Sequence, residues 1–403
     1  MVDSFIPQIR FKMCKNQWEK NKLSKIAKFN PKSTLPEKFK YVDLESVLGT
    51  DLISYREVSR ENAPSRAQRL AQKGDIFYQT VRPYQKNNYL FDSDEKDYVF
   101  STGYAQLRPL IDSAFLLARL QEENFVNKVL ERCTGTSYPA INSKDLSKIS
   151  VTIPQTIEEQ SAIGSLFRTL DNLLASYKDN LTNYQSLKAT MLSKMFPKAG
   201  QTVPEIRLDE FEGEWVEKRL KDISKRVTRK NNDLVSERAL TISAQFGLID
   251  QEEFFQKKIA SKDVSGYYLI KKGEFAYNKS YSTGYPLGAI KRLDKYENGV
   301  LSTLYILFKA VDVDSDYLAH YYESDKWYRE VSMCAAEGAR NHGLLNIAPA
   351  DFFNTRLVMP KELDEQQAIG AYFSNLDNLI NSHQEKISQL ETLKKKLLQD
   401  MFI

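Results

Sequence analysis

The sequence is poor in the residues from which enzymes most often build reactive sites. Only three cysteines, Cys14, Cys133 and Cys334, occur in 403 residues. An odd number without metal-ligand spacing excludes a disulfide framework and a zinc ribbon. Histidine is equally scarce, and His320, His342 and His383 lack the spacing of zinc ligands. No long hydrophobic run exists: the longest, Ala114-Phe115-Leu116-Leu117-Ala118, is far too short to span a bilayer. Met1 to Gln8 shows no basic start followed by an apolar run, so no secretory leader is expected. These absences predict a cytoplasmic protein with no membrane partner. Neither charge sign dominates. With 57 Lys+Arg against 53 Asp+Glu, the net charge of +4 is weak testimony for a polyanion partner by itself.

Catalytic signatures are also missing. The chain has no Gly-x-Gly-x-x-Gly or Walker A loop, no Gly-x-Ser-x-Gly elbow, and no Asn/Asp-Pro-Pro-aromatic tetrapeptide, since Asn30-Pro31 is followed by Lys32. The acidic pairs Asp92/Asp94 and Asp312/Asp314 sit in polar stretches and read as solvated loops rather than a metal site. A binding protein without catalysis, metal or cofactor of its own is expected.

What the chain does have is itself, twice. Residues 157–174 and 363–380 align without a gap at an offset of 206, and ten of the eighteen pairs are identical; roughly one is expected from ordinary residue usage. The copy includes Glu159-Gln160, Ala162-Ile163-Gly164, Phe167 and Leu170-Asp171-Asn172-Leu173. Shorter matches precede it in the same order. Pro7-x-Ile9-Arg10 and Trp18 return as Pro204-x-Ile206-Arg207 and Trp215, and Lys73-Gly74-Asp75 returns as Lys272-Gly273-Glu274. The offset drifts from 197 to 206 along the chain, as loop insertions in one shared fold would produce.

The order is therefore domain, helix, domain, helix, with boundaries at 1–155, 156–198, 199–361 and 362–403. The helices are the firmest structural expectation. Thr156-x-x-Glu159 has the form of a capping box. Apolar residues follow with heptad spacing in columns through Ile163, Leu170, Tyr177, Tyr184 and Met191, and through Ile369, Leu376, His383, Leu390 and Leu397. Such columns predict two coiled-coil helices of about 40 residues and roughly 60 Å each, lying antiparallel because a whole domain intervenes. Lys188 and Lys394 interrupt the seams at matching places and are expected to snorkel from the seam edge. The two larger segments, rich in Tyr and Phe, read as mixed α/β, with helical stretches from Asp112 to Cys133 and from Asp316 to Cys334. The fold class is α+β: two similar mixed domains and a pair of long helices, with pseudo-twofold symmetry.

This plan resembles the specificity subunit of Type I restriction–modification systems. The resemblance rests on the duplicated Glu-Gln-x-x-Ile-Gly-x-x-Phe-x-x-Leu-Asp helix motif and on the entrances Pro7 to Trp18 and Pro204 to Trp215, and it covers essentially the whole chain. The first entrance departs from the pattern by having Asn16 where the second has Gly213. The resemblance implies two target-recognition domains, each reading half of a split, asymmetric DNA sequence, with the helix pair as spacer. It also implies partners: two modification subunits carrying S-adenosylmethionine for adenine N6 methylation, and a restriction subunit. Three rivals stay open: an enzyme of unfamiliar fold, a coiled-coil scaffold without DNA readout, and a specificity subunit of another restriction class.

Base reading needs Arg, Lys, Asn or Gln aimed at groove edges, with aromatics and further cations near by. In the first domain these are Arg66, Arg82, Tyr84, Lys86 and Asn87, joined by Thr136 and Tyr138 in a Gly-containing stretch that the family turns toward DNA. In the second they are Arg229, Lys230, Lys279 and Tyr281, with Arg340, Asn341 and His342 in the corresponding stretch. The repeated polar helix residues Gln160, Asp171, Asn172, Gln366, Asp377 and Asn378 are candidates for the modification-subunit contact.

Overall fold

The computed structural model describes residues 7–12, 14, 16–243, 247–257, 263–280, 285–334, 340–341, 344–345 and 347–402. The chain forms two compact units, Met1–Asn180 with His383–Ile403, and Leu181–Ser382. The boundary falls within both long helices, Ile157–Lys194 and Leu363–Asp400, of 38 residues each. Each unit thus combines one α/β domain with part of both helices.

In the first unit the helix segments run antiparallel. Phe167 stacks on Phe402, with centroids 5.7 Å apart, and Tyr177 meets His383 at 5.2 Å. In the second unit Phe196 stacks on Phe373 at 5.9 Å, and Tyr184, Met191 and Leu192 pack on the core that holds Ile369 and Leu376. The heptad columns become buried seams at these ends: Ile163, Leu170 and Leu174 in one, Ile369, Phe373 and Leu376 in the other.

The domain topology is repeated. In the first, Glu19–Lys22 pairs antiparallel with Ser150–Ile153, the strand that feeds the first long helix. In the second, Val216–Arg219 pairs in the same way with Arg356–Met359. A four-stranded antiparallel sheet follows in each. Its order is Ala27–Phe29, Tyr104–Pro109, Ile76–Gln79, Tyr89–Leu90 in the first domain, and Ser224–Val227, Ile306–Ala310, Phe275–Asn278, Ala289–Arg292 in the second. Outside these sheets the copies keep the order but differ in extent. The first domain carries a second four-stranded sheet with one parallel pair, Lys38–Val42 beside Tyr98–Ser101, whereas in the second the pairs Leu240–Ser243 with Gly247–Asp250 and Tyr268–Lys271 with Asn298–Leu301 are joined only by a single parallel bridge from Ala239 to Val300.

The helical stretches expected from 112 to 133 and from 316 to 334 are each broken into two. Glu122 adopts extended backbone and accepts hydrogen bonds from the amides of Asn124 and Phe125, so it ends Ser113–Gln121 and caps Glu123–Leu130. The second domain has Ser315–Tyr321 and Tyr328–Cys334. At Glu122 local capping chemistry wins over apolar periodicity.

Each domain is clasped to its helix by one buried carboxylate. Arg10 donates Nε to Glu159 Oε1 at 2.6 Å and Nη2 to Oε2 at 2.8 Å, while Trp18 Nε1 donates to Oε1 at 3.1 Å. The copy uses Arg207, Glu365 and Trp215 at 2.7, 2.8 and 3.1 Å. Both arginines also bond the carbonyl of the residue at the divergent entrance position, Asn16 or Gly213, so that difference leaves the clasp intact. The clasp corrects the capping-box expectation. Thr156 Oγ1 does accept the Glu159 amide, at 3.4 Å, but the Glu159 carboxylate is spent on Arg10 and Trp18.

The next residue fixes the angle. Gln160 Nε2 donates to the Pro154 carbonyl at 2.9 Å and Oε1 accepts the Asp112 amide at 3.2 Å. Gln366 repeats this with Pro360 and Asp314, both at 2.9 Å. Gly164 then lets the helices touch: a Cβ there would lie 2.6 Å from both Asp112 Oδ1 and the Phe115 amide nitrogen. At Gly370 the distances are 2.9 Å to Asp314 Oδ1 and the Tyr317 nitrogen. We expect Gly164→Ala to lower the unfolding free energy by about 1–3 kcal/mol through overpacking against backbone. A denaturant titration checks this, and an unchanged midpoint would contradict the close approach.

Candidate nucleic-acid interface

The strand Ile76–Gln79 delivers the first domain's densest set of candidates. At its end Val81 bridges Ala140, and the Arg82 amide donates to the Pro139 carbonyl at 2.7 Å. The loop Thr134–Ala140 is thereby joined to the strand end. Arg82 takes a left-handed conformation, φ 53° and ψ 55°, before the turn Pro83–Gln85, and Lys86 takes another at φ 56°. The Arg82 guanidinium lies over the Tyr138 ring, 4.2 Å from its centroid. Asn87 Oδ1 accepts the Gly49 amide at 2.8 Å, which ties the hairpin of Val47–Leu48 and Asp51–Leu52 to the same loop.

Arg82, Asn87 and Tyr138 come together around a cleft of about 400 Å³ that also includes Leu48, Ile53 and Gln85. Leu48 and Ile53 are exposed to 65% and 59%, Tyr138 to 64%. A forked cation on an exposed ring, beside open apolar groups and amides, is the chemistry of contact with bases and phosphates. Tyr84 and Thr136 are exposed on the adjoining turns. Arg66 is exposed on the turn before Ala67–Leu70 and does not line the cleft. Lys86 pairs with the exposed Glu123 at the same turn. The hairpin residues Leu48 and Ile53 carry no charge or turn signal to mark them, so sequence reasoning missed them.

The second domain builds the equivalent edge. The Leu345 amide donates to the Lys279 carbonyl at 3.1 Å, joining the end of Phe275–Asn278 to the strand pair Arg340–Asn341 and Leu344–Leu345. Lys279 is half-buried, its ammonium 3.4 Å from the Ile347 carbonyl, and burial lowers its pKa. Tyr281 and His342 lie outside the described residues, as do the side chains of Arg340 and Asn341. Arg229 and Lys230 are engaged elsewhere. Arg229 grips Glu274 at 3.0 and 3.2 Å; the equivalent carboxylate of the first domain, Asp75, is held by Arg108 from a different strand at 2.8 and 2.9 Å. Lys230 bonds the Gly266 carbonyl at 2.7 Å over the Tyr268 ring. These contacts give both residues a structural occupation.

The repeated polar helix residues also divide. Gln160 and Gln366 are buried in the contacts described above, so their repetition has an intramolecular cause. Asn172 and Asn378 are exposed. Asp171 pairs with Lys394, and Asp377 with Lys188 at 2.6 Å. The two seam lysines therefore do not snorkel; each forms an ion pair across the antiparallel helices. Lys188 is joined by Glu323 at 2.7 Å, and Glu323 also meets His320 at 3.2 Å and Lys291 at 3.3 Å. His320, Glu323 and Asp377 are close enough together to ligate a metal, but Lys188 already supplies the cation among them. Asp92 pairs with Arg168 and Asp94 with Lys73, while Asp314 caps a helix, so these acids have ordinary partners.

Residues 15–183 match the family described as the Type I restriction modification DNA specificity domain. Over this stretch, the chain is similar to Type I specificity subunits. It is similar to the Type I restriction enzyme MjaVIII specificity subunit of Methanocaldococcus jannaschii, with 23% identity over 308 residues, 73% of this chain and 70% of the relative. Among solved structures, the S subunit of the Type I restriction–modification system of M. genitalium has the same fold, with a TM-score of 0.62 at 14% identity over 99% of both chains. A chain from a structure of complex assembly and conformational transition in a type I R-M system gives 0.51 at 19% identity, covering 95% of this chain and 96% of that one. Among the described residues no helix is long and apolar enough to cross a membrane.

The Glu323 cluster is expected to make the stability of the second unit acid-sensitive. Burial raises the Glu323 pKa, but the hydrogen bond with His320 and the charges of Lys291 and Lys188 outweigh it and leave the group far below its ordinary 4.5. A depressed carboxylate contributes stability above the unfolded-state value and loses it as pH falls below that value. Between pH 6 and pH 3.5, Glu323→Gln is expected to lose less stability than the wild type in urea titrations. Identical pH slopes would contradict this.

Proposed function

We propose that this chain recognises double-stranded DNA at a split, asymmetric sequence and directs other subunits to it without catalysis of its own. Each domain reads one half-site through the edge where its central strand meets the loop before the last strand. Those edges are Arg82, Tyr84, Asn87, Thr136 and Tyr138 in the first domain, and Lys279 with the Arg340–Asn341 strand in the second. The observation that carries this reading is that one clasped unit is built twice while the residues and loops at the two edges differ. A duplicated frame with divergent reading surfaces suits two unlike half-sites on one duplex.

The long helices then act as the spacer. At about 1.5 Å per residue each is roughly 57 Å long, so helix length sets the unread gap. Two methyltransferase subunits, bringing S-adenosylmethionine for adenine N6 methylation, dock on the helices and domains, with exposed Asn172 and Asn378 as equivalent contacts. A restriction subunit completes the cleaving assembly. The relatives' names, specificity subunits of Type I restriction enzymes, support this set of partners.

The test is fluorescence anisotropy of the full chain, assembled with its modification subunits, on a duplex carrying the sequence that the assembly methylates. Affinity should fall steeply with salt. Arg82→Ala should weaken cognate binding by about 1–3 kcal/mol and change unrelated duplex far less. Unchanged cognate affinity removes Arg82 from the interface. Absence of duplex binding favours a scaffold, and methylation by the chain alone favours an enzyme; either overturns the reading.

A further inference from the structure

The two units differ at one corner, and the second shows what fits there. Asp112 and Asp314 cap equivalent helices and face equivalent glycines, Gly164 and Gly370. This register places Ala118 where the second unit has His320, and Gln121 where it has Glu323. In the second unit the imidazole fills the corner. His320 is 6% exposed, with Nδ1 3.2 Å from Glu323 and Nε2 3.3 Å from the Ser374 hydroxyl. Its ring lies 5.3 Å from the Phe373 ring, and Asp377 stands 3.9 Å from Nδ1.

In the first unit the side chain stops at Cβ, and a pocket of about 380 Å³ opens. Its wall contains Ala118, Gln121, Phe167, Asp171 and Lys394, the counterparts of His320, Glu323, Phe373, Asp377 and Lys188. Arg168 stands in place of Ser374, and Asp51 and Asp92 are also at the pocket. We propose that this pocket binds a small planar nitrogen heterocycle of the imidazole class, in the place where the second unit carries its own histidine ring.

Three features define the ligand. Phe167, Leu117 and Leu398 offer apolar surface to a flat ring. Asp92 is paired with Arg168 and Asp171 with Lys394, so among the lining residues Asp51 is the surplus carboxylate and favours the protonated ring. Burial, then the charge of Asp171, raises the Asp51 pKa against the opposing pull of Lys178 and Lys394, and an added cation beside Asp51 favours its ionised form. The volume falls at the lower end of the range for ligand pockets, about 300–1,000 Å³, and leaves room for a substituted ring. A bound ring touches the helix Ser113–Gln121 and both long helices, so it tightens the seam that the Glu159 clasp holds.

The test is titration of imidazole at pH 6 into the full chain, followed by saturation-transfer NMR and by thermal denaturation. The wild type should bind one imidazolium with a dissociation constant on the order of 1 mM and rise in melting temperature. Ala118→His, which rebuilds the second unit's corner, should abolish binding. His320→Ala should add a second site. If Ala118→His does not fold, Ala118→Leu serves as an apolar plug with the same expected loss. No saturable binding by the wild type, or undiminished binding by the plugged variant, overturns the site. Equal affinity for uncharged thiazole overturns the cationic assignment.

Discussion

One buried carboxylate per repeat holds each domain to its helix. Glu159 and Glu365 are almost fully enclosed, and each accepts two bonds from an arginine and one from a tryptophan indole. A charge removed from water needs its lone pairs met, and the arginine fork with the indole meets them in one geometry only. Glutamine and glycine on the same helix complete the constraint. Gln160 and Gln366 tie the incoming strand to the capped helix beside it, and Gly164 and Gly370 let that helix approach to contact distance.

With orientation held this way, the rest of each domain is free to change. The first has a continuous second four-stranded sheet where the second has two strand pairs held by one parallel bridge, while the sheets nearest the clasp are fully laddered in both. Divergence concentrates away from the constraint, where a reader of different sequences must differ. The ion pairs Lys394–Asp171 and Lys188–Asp377 play the complementary part along the helices. Each joins a repeated lysine to a repeated aspartate across an antiparallel seam, so a shift in helix register would strand four charges.

Much of this was legible in the sequence, because duplication turns a single residue into a pattern. The long helices, their order and the heptad columns were readable at Ile163, Leu170, Ile369 and Leu376, where periodicity and burial agree. What escaped was partnership over long sequence distance. Thr156-x-x-Glu159 looks like a local cap, and nothing near it announces that Arg10 will take the glutamate. Lys188 and Lys394 looked like edge residues because the aspartates that hold them lie 189 and 223 residues away. Arg229 looked available for DNA for the same reason, its Glu274 partner being 45 residues on. The candidate reading edge was half legible. Arg82 and Tyr138 carry recognisable chemistry, whereas Leu48 and Ile53 reach the cleft only through the fold. The contrast of Ala118 with His320 was hidden because the repeat offset there is 202 rather than 206.

The central claim is that two clasped copies read two different halves of one target. Mapping methylated adenines in DNA from cells that express this chain with its modification subunits tests it most directly. The account predicts a single motif in two unlike parts separated by an unread gap of constant length, with one part altered when residues 17–150 are exchanged for those of another specificity subunit. A continuous motif, or one in which both parts change together, would contradict it.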